Sequence, residues 1–254
     1  ATGVELEDGR TIKADDVVIN ADFGYAASEL LPDERLGRWR PDRLRKKSFS
    51  CSTYMMYLGL DREIDLPHHN IVFAEDYRRN LADIFEHKVI GDELSYYVRN
   101  ATVTDPNLAP EGHSALYVLV PVPNNKSTID WDERREPFRE RVLDRLEEVE
   151  ALEGLRDSIQ EEKVVTPDDW ERDYNVYLGA TFNLAHTLSQ MMYLRPKNRF
   201  EGLDNCYLVG GGTHPGSGIP TILESGRISA NLICDRHHIE YEGPRPLKEL
   251  VAAP

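Results

Sequence analysis

Apolar and polar positions alternate from the first residues of the chain. Val4, Leu6 and Ile12 flank Asp8-Gly9, and this spacing predicts a β-hairpin closed by a two-residue Asp-Gly turn. Val17-Val18-Ile19, running into Asn20-Ala21-Asp22, predicts a short apolar strand that ends in turn formers. Between Leu30 and Lys47 the chain turns to Pro, Asp, Arg and Trp, the pattern of a short helix and a solvated connection. Residues 48–60 are rich in strand formers, and residues 70–73, 94–100 and 116–120 repeat that character between polar turns such as Asp105-Pro106-Asn107. Pro121-Val122-Pro123-Asn124-Asn125 is expected to close this block.

The period changes over residues 133–153. Phe138, Val142, Leu146, Val149 and Leu152 step by three or four, with Glu and Arg on the other side, which predicts an amphipathic helix with a solvated face. Thr166-Pro167-Asp168-Asp169 reads as the entry to another helix. Asn205-Cys206-Tyr207-Leu208-Val209 predicts a short buried strand leading into Gly210-Gly211-Gly212, and residues 219–236 then read as helical, with Pro220 near the first helical position. The segment 239–254, with Gly243, Pro244, Pro246 and Pro254, is expected to be a poorly ordered tail. No internal repeat is present. The elements together give an α/β protein.

Composition narrows the function. With 45 acidic and 30 basic side chains the net charge is −15, which argues against a nucleic-acid partner because phosphate contacts need clustered Lys and Arg. Twelve Tyr and seven Phe are globular rather than disordered usage. No apolar run reaches the roughly 20 residues a spanning helix needs. Cys51, Cys206 and Cys234 are widely spaced, lack a Cys-x-x-Cys pair, and lead us to expect a reduced cytoplasmic setting and no metal. A chain that opens in mid-sheet reads as the C-terminal portion of something longer.

The informative chemistry lies after the strand at 205–209. Gly210, Gly211, Gly212, Gly216 and Gly218 fall in one loop between a strand and a helix, so backbone amides can approach a ligand with no Cβ in the way. The helix behind points a partial positive charge at that ligand and favours an anionic or electron-rich group. The loop is neither the dinucleotide fingerprint nor a P-loop: it reads Gly-x-Gly-x-x-Pro from Gly210, and no Lys-Ser/Thr pair follows. Taken alone, it could equally serve tight strand–helix packing, which small residues at Ser225, Gly226 and Ser229 would also suit.

From Asp168 to Leu232 the chain resembles the bacterial phytoene desaturases, the flavin-dependent carotenoid desaturases. The matching words are Tyr177-Leu178-Gly179-Ala180, Phe182, Gln190, Arg195-Pro196, Leu203 and Tyr207-Leu208-Val209-Gly210, followed by Gly212-Thr213-His214-Pro215-Gly216 and Gly218-Ile219-Pro220. The opening hairpin and residues 17–22 fit the segment where such chains re-enter the flavin domain. The resemblance implies the C-terminal part of a Rossmann-like FAD domain, at 1–45 and 195–238, around a β-sheet substrate domain with helices at 46–194. It implies FAD as cofactor, a long apolar polyene as substrate, hydride transfer to the flavin, and a cytoplasmic enzyme held peripherally on the inner face of the membrane. A carotenoid isomerase or another polyene oxidoreductase on the same scaffold, or a truncated, non-catalytic chain binding a hydrophobic ligand, are the alternatives. The Gly-x-Gly-x-x-Gly unit that grips the ADP half of FAD is not in this sequence.

Carried over residue by residue, Gly210, Gly211 and Gly212 would pass the ribitol and phosphate chain. Thr213 and Gly216 would belong to the same cofactor loop. Gly218, Ile219 and Pro220 would face the pyrimidine edge of the ring, where reduced flavin gathers negative charge. Related flavoproteins often place an acidic residue near Gly212, and this sequence does not. No catalytic residue is assigned: His214 reads as a loop-packing element rather than a base, and Arg195 as half of a structural salt bridge. Met55, Met56, Met191 and Met192, with Tyr54, Tyr57 and Tyr193, are expected in the core, the alternative being the wall of an apolar tunnel. His68-His69 and His237-His238 are expected at the surface.

Overall fold

The structure is a computed structural model, and it describes residues 1–243. In chain order the elements are β1 (Gly3–Glu5), β2 (Thr11–Lys13), β3 (Val17–Ile19), α1 (Phe23–Tyr25), α2 (Pro41–Leu44), β4 (Ser52–Leu60), β5 (His69–Val72), α3 (Tyr77–Ala82), β6 (Tyr96–Asn100), β7 (Ser114–Val122), α4 (Trp131–Glu147), α5 (Leu155–Ser158), β8 (Ile159–Val165), α6 (Pro167–Tyr174), β9 (Cys206–Leu208) and α7 (Ile219–His237). They form two compact units, residues 1–48 with 182–254, and residues 49–181. The later boundary falls at 181/182 rather than at 194. Residues 183–190 belong to the first unit because Gln190 donates to the Ser48 carbonyl and Asn183 bonds Asp22. The tail expected at 239–254 lies outside the described residues from position 244 onward.

In the first unit β3 and β9 pair in parallel, Val17 with Cys206 through Ile19 with Leu208. Parallel neighbours need a crossover, and here the whole second unit is inserted in it. Helix α7 packs on β9 through small residues: Ser229 Oγ donates to the Leu208 carbonyl at 3.0 Å, and Ser225 is fully buried. The β1–β2 hairpin forms, but its turn differs from the expected one. Leu6 pairs with Arg10, Gly9 N–H donates to Leu6 O, and Gly9 has φ +81°, so Glu7-Asp8-Gly9 is a three-residue loop ending in a left-handed glycine. The stretch 30–47 is less solvated than its composition suggests. Leu36, Trp39 and Leu44 are buried, and Phe23 meets Trp39 edge-on at 5.1 Å.

The second unit is an antiparallel sheet of order β5-β6-β7-β4-β8. Its centre is the β4–β7 pair, in register from Ser52–Val122 to Leu60–Ser114, so β7 runs through Pro121 instead of stopping before it. Alternate residues face one core: Tyr54, Met56, Leu58, Leu116, Val118 and Val120 pack under α4, which contributes Trp131, Phe138, Val142, Leu143 and Leu146. Tyr54 sets its ring edge-on to Phe138 at 4.8 Å and donates its hydroxyl to the Arg135 carbonyl. On the other face a cross-strand row runs in register through His69, Arg99, Tyr117, Tyr57 and Lys163. Tyr57–Tyr117 and Tyr97–Tyr117 ring contacts, at 5.5 and 5.9 Å, knit it together. Met55 and Met56 are core, as the pattern suggested. Met192 and Tyr193 are not: they are 61% and 82% exposed on a short irregular segment of the first unit. His69, His237 and His238 lie at the surface.

Candidate cofactor site

The glycine loop joins β9 to α7, and its backbone explains its composition. Gly210, Gly216 and Gly218 have φ of +107°, +149° and +104°, which β-carbon-bearing residues seldom adopt. Gly212 is required for space instead, since a β-carbon there would lie 2.5 Å from Phe23 Cβ and 2.6 Å from Asn183 Oδ1. The loop folds back on itself, with a β-carbon on Gly211 only 3.3 Å from Ser217. Thr213 is buried and donates its hydroxyl to the Gly210 carbonyl at 3.0 Å, so its side chain closes the loop from inside. Gly210 N–H in turn donates to Ser225 Oγ on α7.

The start of α7 faces outward. Gly218, Ile219 and Pro220 are exposed, Ile219 at 76%. Pro220 has no N–H, and Thr221 Oγ1 donates back to the Ser217 and Gly218 carbonyls. Among the described residues nothing accepts from the amides of Ile219 or Thr221. Two free donors at a helix N-terminus, next to a loop held close by glycine, suit an electron-rich edge of a planar ring.

The residues beneath the loop leave little local pattern in the sequence. Asn198 is buried and donates through Nδ2 to the Leu208, His214 and Ser225 carbonyls, tying strand, loop and helix together. Asp22 caps α1 through the Tyr25 amide and bonds Asn183, which stands against Gly212. His186 Nε2 reaches Ser217 Oγ at 3.1 Å. Partial desolvation and then the Arg195 charge push the His186 imidazole below its ordinary range. His214 plays the packing role expected of it: its N–H donates to Pro196 O, its carbonyl accepts from Asn198, and its ring stacks on Tyr193 at 6.3 Å.

Arg195 corrects the sequence reading. It is fully buried, and no carboxylate among the described residues pairs with it. Its guanidinium donates to the Leu184 and Gly211 carbonyls at 3.0 and 2.9 Å and, at 3.4 Å, to Gln190 O. Its Nε has no partner. Buried arginines ordinarily find an acid; this one finds only backbone.

Comparison with known proteins fits this geometry. The chain is 53% identical over 242 residues to a 4,4'-diapophytoene desaturase (4,4'-diapolycopene-forming) of Methylomonas sp, covering 95% of this chain and 47% of that protein. It is 46% identical over 237 residues to an all-trans-zeta-carotene desaturase of Myxococcus xanthus, covering 92% and 45%. It is 37% identical over 234 residues to a phytoene desaturase (lycopene-forming) of Pseudescherichia vulneris, covering 91% and 47%. The chain thus spans about half the length of the curated relatives it matches. A solved oxidoreductase from Methanosarcina mazei shares the fold with a TM-score of 0.53 at 16% identity, over 90% of this chain and 48% of that one. The sequence model for flavin containing amine oxidoreductase matches residues 1–234. With a glycine loop, an open helix start and a match across nearly its whole length, the chain belongs to the flavin containing amine oxidoreductase family.

Proposed function

We propose that this chain is part of an FAD-dependent desaturase acting on a long polyene of the phytoene or diapophytoene class. The observation that carries the reading is the open N-terminus of α7, where the Ile219 and Thr221 amides stand free beside the loop of Gly210, Gly211, Gly212, Thr213, Gly216 and Gly218. The activities of the three relatives supply the substrate class. FAD bound there supplies a hydride acceptor. Gly210, Gly211 and Gly212 let the main chain approach the ribitol and phosphate side, while Gly218, Ile219 and Pro220 present the helix start to the ring. The chain's contribution to the chemistry is orientation and charge stabilisation, and no side-chain base is required for a hydride to leave a CH₂ group.

In the second unit, we propose the face carrying Tyr57, Tyr97 and Tyr117 as the surface that takes the polyene. Its rings touch in turn, Tyr57 with Tyr117 and Tyr117 with Tyr97, and offer an aromatic strip across the central strands. We further propose a cytoplasmic protein attached peripherally to a bilayer. In the first unit Leu188, Met192, Tyr193 and Leu194 expose apolar surface within one short segment, and no described helix is long and apolar enough to cross a membrane.

The test is direct. The complete protein, purified and supplied with phytoene or diapophytoene in vesicles, should carry a flavin absorption band and convert the colourless substrate to a longer chromophore. A change of isomer without loss of hydrogen would replace desaturation by isomerisation. Absence of flavin would remove the enzymatic reading altogether.

A further inference from the structure

Arg195 is the outlier among the buried groups. The chain carries 45 acidic side chains, yet none of the described ones approaches this guanidinium. A buried charge without a counter-charge is costly, and hydrogen bonds to neutral carbonyls offset only part of that cost. Burial pulls its pKa down to about 10, which leaves it protonated at neutral pH. Three carbonyls hold it in place, and one of them belongs to Gly211 in the loop itself. The unpartnered Nε lies beneath the other limb, 3.9 Å from where a β-carbon on Gly216 would sit. The guanidinium therefore lies between the two limbs of the loop, bonded to Gly211 on one and close to Gly216 on the other. His186, a second basic group beside this guanidinium, has its imidazole pushed toward the neutral form.

We infer that Arg195 is a positioning residue that braces the glycine loop through Gly211 and leaves an unpaired positive charge under it, biasing a flavin held there toward its reduced, negatively charged form. The inference rests on the flavin reading of the loop and adds to it a residue that sets the cofactor's potential. The helix start and Arg195 then act in the same direction, one through two free amides and the other through a full charge in a poorly hydrated setting. A guanidinium suits the task better than an ammonium, because its fixed fork can reach carbonyls on several segments while the charge remains.

A purely structural role would lower thermal stability and leave the potential of the bound flavin alone. The two are separated in the complete FAD-loaded protein by redox titration at a fixed poise, with hydrogen–deuterium exchange across residues 210–218 alongside. Arg195→Gln removes the charge; the ratio of reduced to oxidised flavin should fall at least tenfold, about 30 mV for a two-electron couple. Arg195→Lys keeps the charge and loses the fork, so the potential should stay near that of the parent while the loop amides exchange faster. His186→Glu sets a carboxylate against the same guanidinium from an exposed position, and should lower the potential even if Arg195→Gln does not fold. An unchanged potential in flavin-loaded His186→Glu or Arg195→Gln overturns the inference and leaves the flavin reading standing. A complete parent protein that holds no flavin overturns both.

Discussion

The hydroxyl of Ser225 ties Gly210 to the last helix: it accepts from the Gly210 amide at 2.9 Å and donates to the Ile222 carbonyl at 2.6 Å. One small buried side chain thereby fixes the distance between the end of β9 and the second turn of α7. Ser225→Ala should cost about 1 kcal/mol by deleting those bonds, and Ser225→Val roughly 2–3 kcal/mol, since it also overfills the contact. Thermal denaturation of both variants checks the order. A valine variant as stable as the alanine one would show that the contact has room to spare.

Gly218→Val separates cofactor binding from folding. Its position has φ +104°, and only Thr221 Oγ1, at 3.4 Å, comes near a β-carbon placed there. Backbone strain of about 1–2 kcal/mol is therefore the main structural penalty. In the complete protein we expect flavin content and turnover to be lost with a modest fall in thermal midpoint. Glu148→Ala, on the solvated side of the α4 C-terminus, should change neither. Full flavin occupancy in Gly218→Val would return the loop to a packing role.

Asp169 gives a pH dependence. Burial alone would raise its pKa, but the Thr166 amide and hydroxyl, Arg135 and Arg172 all donate to it and hold it below the ordinary range. A folded-state pKa below the unfolded value means stability that is fully present above about pH 4 and lost as pH falls through the folded value. Asp169→Asn should cost about 3 kcal/mol at neutral pH. The gap between parent and variant should narrow on acidification below about pH 4. A gap that stays constant down to denaturation would show that the charge contributes nothing.

Tyr117 tests the proposed polyene surface. It is half-buried between Tyr57 and Tyr97 on the sheet face opposite α4. Tyr117→Ala should raise KM for the polyene severalfold while flavin content is kept. Steady-state kinetics with a flavin assay decide it; an unchanged KM would move the substrate off this face.

Legibility in the sequence followed the range of the interactions involved. The strand formers at 116–120, the apolar stripe of α4 and the helix entry at Thr166–Asp169 are local signals, and each could be read directly. The glycine loop was readable because main-chain geometry demands its residues. Asn183, Gln190 and Asn198 could not be read this way, because they bond to main chain distant in sequence and leave no spacing behind. Arg195 was misread for a related reason: an arginine ordinarily implies an acid, and its carbonyl partners carry no side-chain signature. The hairpin turn was misjudged because Asp-Gly suits both a two-residue turn and the end of a three-residue loop.

The pairing of β3 with β9 sets an order of assembly on the ribosome. Asp15 and Asn205, beside the two strands, are bonded although 190 positions apart. The strand at Val17–Ile19 must therefore wait for this partner while all of residues 49–181 are made. That intervening unit is continuous in sequence and contains its own sheet and helix, so it can collapse during synthesis and shorten the tether between the waiting strand and its partner. The glycine loop, Arg195 and the start of α7 all follow that unit, so this part of the cofactor cradle is translated after it. A nascent chain halted near residue 195 would hold a finished middle and lack the glycine loop on which the flavin reading rests.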